Sequence, residues 1–271
     1  MPPTGDSFTT LNLPPTVSLP DCMDYFSLTA GPNTNLWRKP PTGDIATAPI
    51  IFTSLRNRFT IAEVTVSADW EMEWDQGGLV IFTGPTPEAL ALSTTTTTNT
   101  TTSSNRQRTR TTGTRIPRLQ QQQATSRACK WVKAGMEFTS GAAHASSVSA
   151  TADGTDWCAA PLSSPQQSGH QNHQMPSTSF HSLRIKLERV GYSLWVWYQE
   201  QSPSPYALTH EEAMCAWKKL REVSWFFYGV GNKFVHVGAY ASRPNCANMS
   251  WYGPVDDDDG LEVEFDDLEI L

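Results

Sequence analysis

The chain has 271 residues, ten tryptophans and a formal net charge of −7. An acidic balance without a basic stripe excludes nucleic acid as an expected partner. No apolar window approaches the roughly 18 residues of a membrane span, so no membrane partner is expected either.

The cysteines and the N-terminus predict the cellular compartment. Five cysteines, an odd number without metal-ligand spacing, favour reduced thiols and a reducing environment. Residues 1–20 are polar and proline-rich, without the apolar run of a secretory signal. We therefore expect a cytoplasmic protein that begins with a flexible tail over residues 1–20.

Strand patterns dominate the rest of the chain. Residues 182–189 and 193–198 alternate with period two around Gly191 and predict a β-hairpin. A single helix-like window covers residues 211–221. The predicted strands, in chain order, are residues 59–66, 78–82, 130–138, 146–151, 182–189, 193–198, 223–230, 234–241 and 261–270.

One stretch interrupts this pattern. Residues 93–127 are rich in Thr, Arg and Gln, and such a segment buries too little apolar surface to offset its ordering entropy. We expect a single domain over residues 21–271 with a disordered insert at 93–127. Strands joined by hairpins and long loops indicate an all-β, antiparallel two-sheet jelly-roll sandwich.

The strand predicted at residues 130–138 is the most informative. Val132, Ala134 and Met136 share the face expected to enter the core, together with Phe138. Lys133 and Glu137 share the opposite face, which we expect to be a partly solvated groove. They are four residues apart, too far for a direct pair, so Arg184 or Lys186 is the expected partner of Glu137.

Several segments together resemble a known family. They are Asp75-Gln76-Gly77-Gly78-Leu79, Trp131-Val132-Lys133-Ala134-Gly135-Met136-Glu137, Asp156-Trp157, the run from Gly238 to Pro244 and Phe265-Asp266-Asp267-Leu268. This series is similar to the domain of unknown function 1349, also labelled "regulation of enolase", of the concanavalin A-like lectin/glucanase superfamily. The resemblance implies a two-sheet jelly roll with a concave face, and it implies no settled activity.

Sandwiches of that superfamily often bind glycans, with aromatic rings on sugar faces and polar side chains on hydroxyls. The resemblance thus predicts a non-catalytic module that binds a glycan, a glycoconjugate or another small molecule, without a cofactor. The expected ligand-binding residues are Gln76, Lys133, Glu137, Asp156, Trp157, Arg184, Trp195, Trp197 and Tyr240. Strand faces of this composition are also common as plain solvated surface, and Trp195 and Trp197 also suit a core.

Two other function classes stay open. A glycan hydrolase or lyase would use Glu137, but residues 71–75 and 262–266 lack the carboxylate order of the superfamily's glucanases. A protein-interaction domain is the third class. No metal is expected, because His170 and His173 lie in a polar loop without a third ligand and the Asp256–Asp259 run does not have the spacing of a calcium loop. Nothing in the sequence predicts an oligomeric state.

Overall fold

The computed structural model describes residues 3–40, 43–55, 58–84, 129–162, 181–200, 217–231, 234–245 and 260–271. In these residues the regular structure is fifteen strands and one short 3-10 helix, Gly5–Ser7. The strands are β1 (Thr9–Leu11), β2 (Tyr25–Ala30), β3 (Leu36–Lys39), β4 (Gly43–Ala46), β5 (Ile50–Leu55), β6 (Ile61–Ala68), β7 (Gln76–Thr83), β8 (Lys130–Thr139), β9 (Ala142–Thr151), β10 (Gly154–Pro161), β11 (His181–Val190), β12 (Ser193–Glu200), β13 (Lys218–Val223), β14 (Val235–Ser242) and β15 (Leu261–Ile270).

The strands form two large antiparallel sheets. The seven-stranded sheet has the order β1-β5-β14-β7-β8-β9-β10, and the six-stranded sheet has the order β13-β12-β11-β6-β15-β2. Residues of both sheets, among them Leu79, Val132, Ile185, Val196 and Phe265, form one buried apolar core. Burial of these facing side chains is the main favourable contribution to packing the sheets. The predicted antiparallel two-sheet sandwich is confirmed.

Strand β8 shows how the sequence pattern produces both faces of its sheet. Val132, Ala134 and Met136 are fully buried in the core between the sheets, and Phe138 packs against them, as predicted. The alternate side chains point to the outer face. There Trp131 belongs to a second apolar cluster rather than to a solvated surface.

A small β-hairpin covers part of this outer face. Strands β3 and β4 pair with each other, and Leu36 and Ala46 pack with Trp131 in the second cluster. The buried Arg38 makes a double hydrogen bond with the Asp44 carboxylate, at 2.8 and 2.7 Å. Arg38 Nη1 also donates to the backbone oxygens of Cys129, just before β8, and of Thr151 in β9, and Trp131 Nε1 donates to Asp44. The hairpin is therefore fixed to the sheet by buried polar contacts as well as by apolar packing.

Two expectations need correction, and others concern residues that the structure does not describe. Residues 9–11, placed in a flexible tail, pair with β5 and bury Leu11 in the second cluster. The end of the predicted helical window is instead strand β13, because its backbone pairs with β12. The insert at 93–127 lies outside the described residues, as do His170, His173 and Asp256–Asp259.

Candidate functional site

The structure divides the predicted site residues among the two outer faces and one edge of the sandwich. Gln76, Lys133, Glu137, Trp157 and Tyr240 share the outer face of the seven-stranded sheet, as the register of β7, β8, β9, β10 and β14 shows.

The other predicted residues lie elsewhere. Arg184, Trp195 and Trp197 are on strands β11 and β12, and they point to the outer face of the other sheet. Neither Arg184 nor Lys186 is therefore the partner of Glu137, and that expectation is wrong. Arg184 pairs with Glu63 at 3.1 Å instead.

The partner of Glu137 is a tryptophan. Glu137 is fully buried, and its two carboxylate oxygens accept the indole N–H of Trp157 at 3.2 and 3.1 Å. The Trp157 backbone is opposite Val148, and one row of cross-strand neighbours lies between this position and Glu137 on the outer face. That row consists of Gly135, Ser146 and Ala159, whose small side chains leave space for the indole to cross the sheet face.

Lys133 is equally enclosed. Its Nζ donates to Gln76 Oε1 at 2.6 Å and to Asn35 Oδ1 at 3.4 Å, and it lies 5.4 Å from the centre of the Tyr240 ring. Burial lowers the pKa of Lys133 to about 7, and the nearby Glu137 carboxylate opposes this shift. Burial, with a smaller effect of Glu137, also raises the pKa of Tyr240. Lys133 and Glu137 are thus not the partly solvated groove residues that we expected.

The exposed part of this face is aromatic. Trp157 is 43% exposed and Trp74 is 40% exposed. Their rings meet edge to face, with centroids 6.3 Å apart and planes at 70°. Trp74 was not among the sequence-predicted residues, although it immediately precedes the Asp75-Gln76-Gly77-Gly78 motif.

The Trp74 backbone is strained and firmly held. Its φ of 73° lies in the left-handed region, which is unfavourable for a bulky side chain. Its N–H donates to the Phe138 oxygen at 2.7 Å. The carboxylate of the next residue, Asp75, accepts the Met72 N–H and forms a buried ion pair with Arg243, whose Nε and Nη2 each lie 2.9 Å from a carboxylate oxygen. These contacts over-determine the turn and set the direction of the Trp74 ring.

His144 lies on the same face, directly opposite Glu137 in the β8–β9 register. It is partly exposed, and its Nδ1 is 3.0 Å from the Ala142 backbone oxygen. A carbonyl only accepts, so Nδ1 is the donor in this contact. We call Trp74, Trp157 and His144 the tryptophan corner.

The opposite face uses its tryptophans differently. Lys219 Nζ lies 3.3 Å from the Trp195 ring centre, and Lys186 Nζ lies 5.6 Å from that of Trp197. The Trp197 indole N–H donates to Glu188 at 3.0 Å. These ring faces are therefore occupied by lysines of the same sheet.

Asp156 is placed apart from both faces. It lies on the edge strand β10, is largely exposed and pairs with Arg221 of β13 across the open side of the sandwich. A shallow groove of about 370 Å³ runs here between the two edge strands, lined by Asp156, Arg221 and Trp225 among others. Arg221 also donates to the Ser147 and Asp156 backbone oxygens, so it ties the sheets together.

The described residues contain no group of three or more His, Cys, Asp or Glu side chains arranged to hold a metal ion. The same part of the chain has no helix that is long and apolar enough to cross a membrane.

Comparisons with known proteins show which family the chain belongs to. The chain is 27% identical over 224 residues to an uncharacterized protein of Emericella nidulans, covering 82% of this chain and 78% of that protein. Among solved structures, the GH43 protein BlXynB from Bacillus licheniformis, in a mutant form, matches with a TM-score of 0.52 at 9% identity. That match covers 100% of this chain but only 38% of the BlXynB chain, so it shows the fold alone. A bifunctional GH43-CE protein of Bacteroides eggerthii matches with a TM-score of 0.45 at 11% identity, covering 92% of this chain and 21% of that one. The sequence pattern of the family described as "Protein of unknown function (DUF1349)" matches residues 11–271, and the chain therefore belongs to the DUF1349 family.

Proposed function

We propose that the protein is a non-catalytic carbohydrate-binding module and that the tryptophan corner is its binding site. The observation that carries this proposal is the pair of half-exposed, edge-to-face rings of Trp74 and Trp157. An indole offers a flat apolar face to the C–H face of a sugar, and its N–H suits a polar neighbour.

Both rings are held in position before any ligand arrives. Trp157 is fixed by its hydrogen bond to the buried Glu137 carboxylate, and Trp74 is fixed by the strained turn beside Asp75. Rigid aromatic side chains lose little conformational entropy on binding, which favours affinity. Retention of a strained backbone next to an exposed ring is typical of functional positions.

The predicted residues around the corner have supporting roles in this proposal. Glu137 orients Trp157 and does not touch the sugar, since its side chain is fully buried. Lys133, Gln76 and Tyr240 form the buried layer beneath, and the protonated form of Lys133 interacts favourably with the Glu137 carboxylate. His144 Nε2, which lies outside the Ala142 contact, can accept a hydrogen bond from a sugar hydroxyl when the ring is neutral.

Catalysis by Glu137 is the weaker alternative. A general acid or base must reach the reacting atom within hydrogen-bond distance, directly or through one water. In this structure the indole of Trp157 uses both oxygens of the buried carboxylate. Hydrolysis would require Trp157 to move away first.

The test is binding to a panel of soluble and insoluble polysaccharides by affinity electrophoresis and sedimentation. Trp157→Ala and Trp74→Ala should each weaken binding by roughly 30-fold or more, as for central aromatic contacts. Trp195→Ala, which removes a tryptophan from the opposite face, is the matched control and should bind normally. Binding that is lost in Trp195→Ala but kept in Trp157→Ala would overturn the assignment. Release of reducing sugar that disappears in Glu137→Gln would establish the hydrolase instead.

We also propose a cytoplasmic location. Cys22, Cys129 and Cys158 are free thiols in the described residues, which suits a reducing compartment. Cell fractionation tests this location, and a stoichiometric intramolecular disulfide in the purified protein would contradict it.

A further inference from the structure

The tryptophan corner lies beside two carboxylates. Glu137 accepts the Trp157 indole N–H with both oxygens, at 3.2 and 3.1 Å. The Glu73 carboxylate, one residue before Trp74, accepts the Thr139 hydroxyl at 2.6 Å at the end of β8. An indole whose N–H is bonded to an anion is polarised, so its ring becomes more negative. Both carboxylates therefore favour a positive charge near these rings.

The geometry of the ring pair also suits a cation. The planes of Trp74 and Trp157 are inclined at 70° and the centroids are 6.3 Å apart, so a face of each ring borders the space beside the other. A cation is attracted to an aromatic face within about 6 Å of the ring centre, and tryptophan is the best such ring. Rings that meet at a steep angle can share one cation, as in the aromatic cages that bind quaternary ammonium groups.

Elsewhere in this protein, exposed tryptophans are paired with ammonium groups. Four of them have a lysine Nζ between 3.3 and 5.6 Å from the ring centre, namely Trp195, Trp197, Trp217 and Trp225. Among the described residues, no cation occupies such a position at Trp74 or Trp157. The corner thus combines carboxylates with open ring faces, and the described part of the chain does not bring an ammonium group to them.

The sequence next to the corner contains no further lysine or arginine. Residues 163–180 continue from the end of β10, and residues 246–259 continue from Asn245, which donates to the Glu73 backbone oxygen. Neither stretch contains Lys or Arg. The arginines of residues 106–118 belong to the connection between β7 and β8, which joins these strands at the Thr83–Lys130 end, away from Glu137. A cation for the corner is therefore expected from a ligand.

We infer that the tryptophan corner selects a positively charged amino sugar, of the glucosamine type with a free ammonium group, over neutral sugars. This inference rests on the proposed carbohydrate site and adds the class of sugar to it. One ring packs on the C–H face of the sugar, and the ammonium group lies near the rings and the Glu137 charge. Glu137 is a positioning residue that acts through the Trp157 indole, because its own side chain is fully buried. Burial lowers the pKa of Lys133 to about 7, so at neutral pH Lys133 offsets only part of the Glu137 charge.

The experiment is isothermal titration calorimetry of the full chain at pH 7 with three tetramers: glucosamine, N-acetylglucosamine and N,N,N-trimethylglucosamine. The trimethylated sugar keeps its charge at every pH and is similar in bulk to the acetylated one. We expect both charged tetramers to bind roughly tenfold more tightly than the acetylated tetramer, as for one cation–π contact beside an anion. Trp157→Ala and Trp74→Ala should each abolish this preference.

A matched pair of variants tests the role of the charge. Glu137→Gln keeps an acceptor for the Trp157 N–H but removes the charge, and it should reduce the preference for charged tetramers by roughly threefold or more. Glu188→Gln makes the same change beside Trp197 on the opposite face and should keep the preference. An unchanged preference in Glu137→Gln would contradict the inference.

The other outcomes separate this inference from the proposed function. Equal affinity for charged and neutral tetramers, or no binding of the charged ones, would overturn the inference. A preference that persists in Trp157→Ala would indicate attraction by the net charge of the chain and would overturn it too. Tetramethylammonium that binds as tightly as the trimethylated tetramer would overturn the assignment to a sugar. In the first two cases, a neutral glycan whose binding needs Trp157 would leave the carbohydrate proposal standing.

Discussion

The two outer faces of the sandwich both carry tryptophans, but they use them in opposite ways. On the seven-stranded sheet, Trp157 gives its N–H to a buried carboxylate and keeps its ring partly exposed. On the six-stranded sheet, Trp195 and Trp197 have lysine ammonium groups over their rings. An aromatic side chain on a strand is therefore not a binding residue by type alone. Its ring face must also be free, and its position must be fixed by other residues.

The largest expected difference between the faces concerns ion pairs. Asp75→Asn removes the charge that pairs with the buried Arg243, so we expect a loss of about 3–5 kcal/mol in the free energy of unfolding. Glu63→Gln disrupts the more exposed pair with Arg184 on the other face and should cost about 0–1 kcal/mol. Urea unfolding of both variants measures the difference. Equal losses would mean that the Trp74 turn is not fixed by its ion pair.

A second comparison concerns the two carboxylates that accept an indole N–H. Glu137→Gln weakens a fully buried, charge-assisted contact, and we expect a cost of about 1–3 kcal/mol. Glu188→Gln makes the same change beside Trp197 and should stay within about 0.5 kcal/mol, as is usual for surface positions.

The pKa of Lys133 gives a second, independent measure of the effect of Glu137→Gln. Since the Glu137 carboxylate raises that pKa, Glu137→Gln should lower it further. NMR titration of the Lys133 ammonium group measures the change. A pKa that stays the same in Glu137→Gln would show that the two charges do not interact.

A third prediction uses pH. The folded-state pKa of Lys133 is about 7, below the 10.5 of the unfolded chain, so between these values the unfolded state binds more protons. The contribution of Lys133 to the unfolding free energy therefore rises with pH above about 7, by at most about 1.4 kcal/mol per pH unit. Lys133→Met should remove this slope between pH 7 and 9, and Lys219→Met, on the other face, should keep it. The same slope in wild type and Lys133→Met would contradict the burial of an ionisable amine.

The sequence predicted most strands and their faces well, because alternation is a local property. The strand predicted at 223–230 is wrong, since β13 ends at Val223 and residues 224–230 form turns. Strand β15 was predicted at 261–270 and is found at Leu261–Ile270, and the buried face of β8 around Met136 was assigned correctly. Periodicity does not tell which sheet a strand joins, so Arg184 and Trp195 were placed beside Glu137 although they lie on the opposite face.

The candidate site was predicted only in part, for a related reason. Lys133 was expected near solvent, but the contact with Asn35 from the segment before β3 encloses it, and no local pattern shows this long-range packing. The role of Trp74 depends on a left-handed backbone and on the ion pair between Asp75 and Arg243, which are 168 residues apart in the chain. Only the DQGGL motif beside Trp74 pointed to this turn, and it carried no information on the ring.

The smallest expected effect tests the lysine cover directly. Lys186→Ala and Lys219→Ala together remove the ammonium groups from Trp195 and Trp197, and each contact at such exposed sites contributes about 0.5–1 kcal/mol. Stability should fall only slightly, while quenching of tryptophan fluorescence by acrylamide should increase because two more rings become accessible. If a free ring face is what distinguishes the tryptophan corner, this double variant should also acquire weak polysaccharide binding that Trp195→Ala abolishes. Increased quenching without any new binding would mean that ring access is not sufficient, and that the fixed edge-to-face geometry of Trp74 and Trp157 is what makes a site.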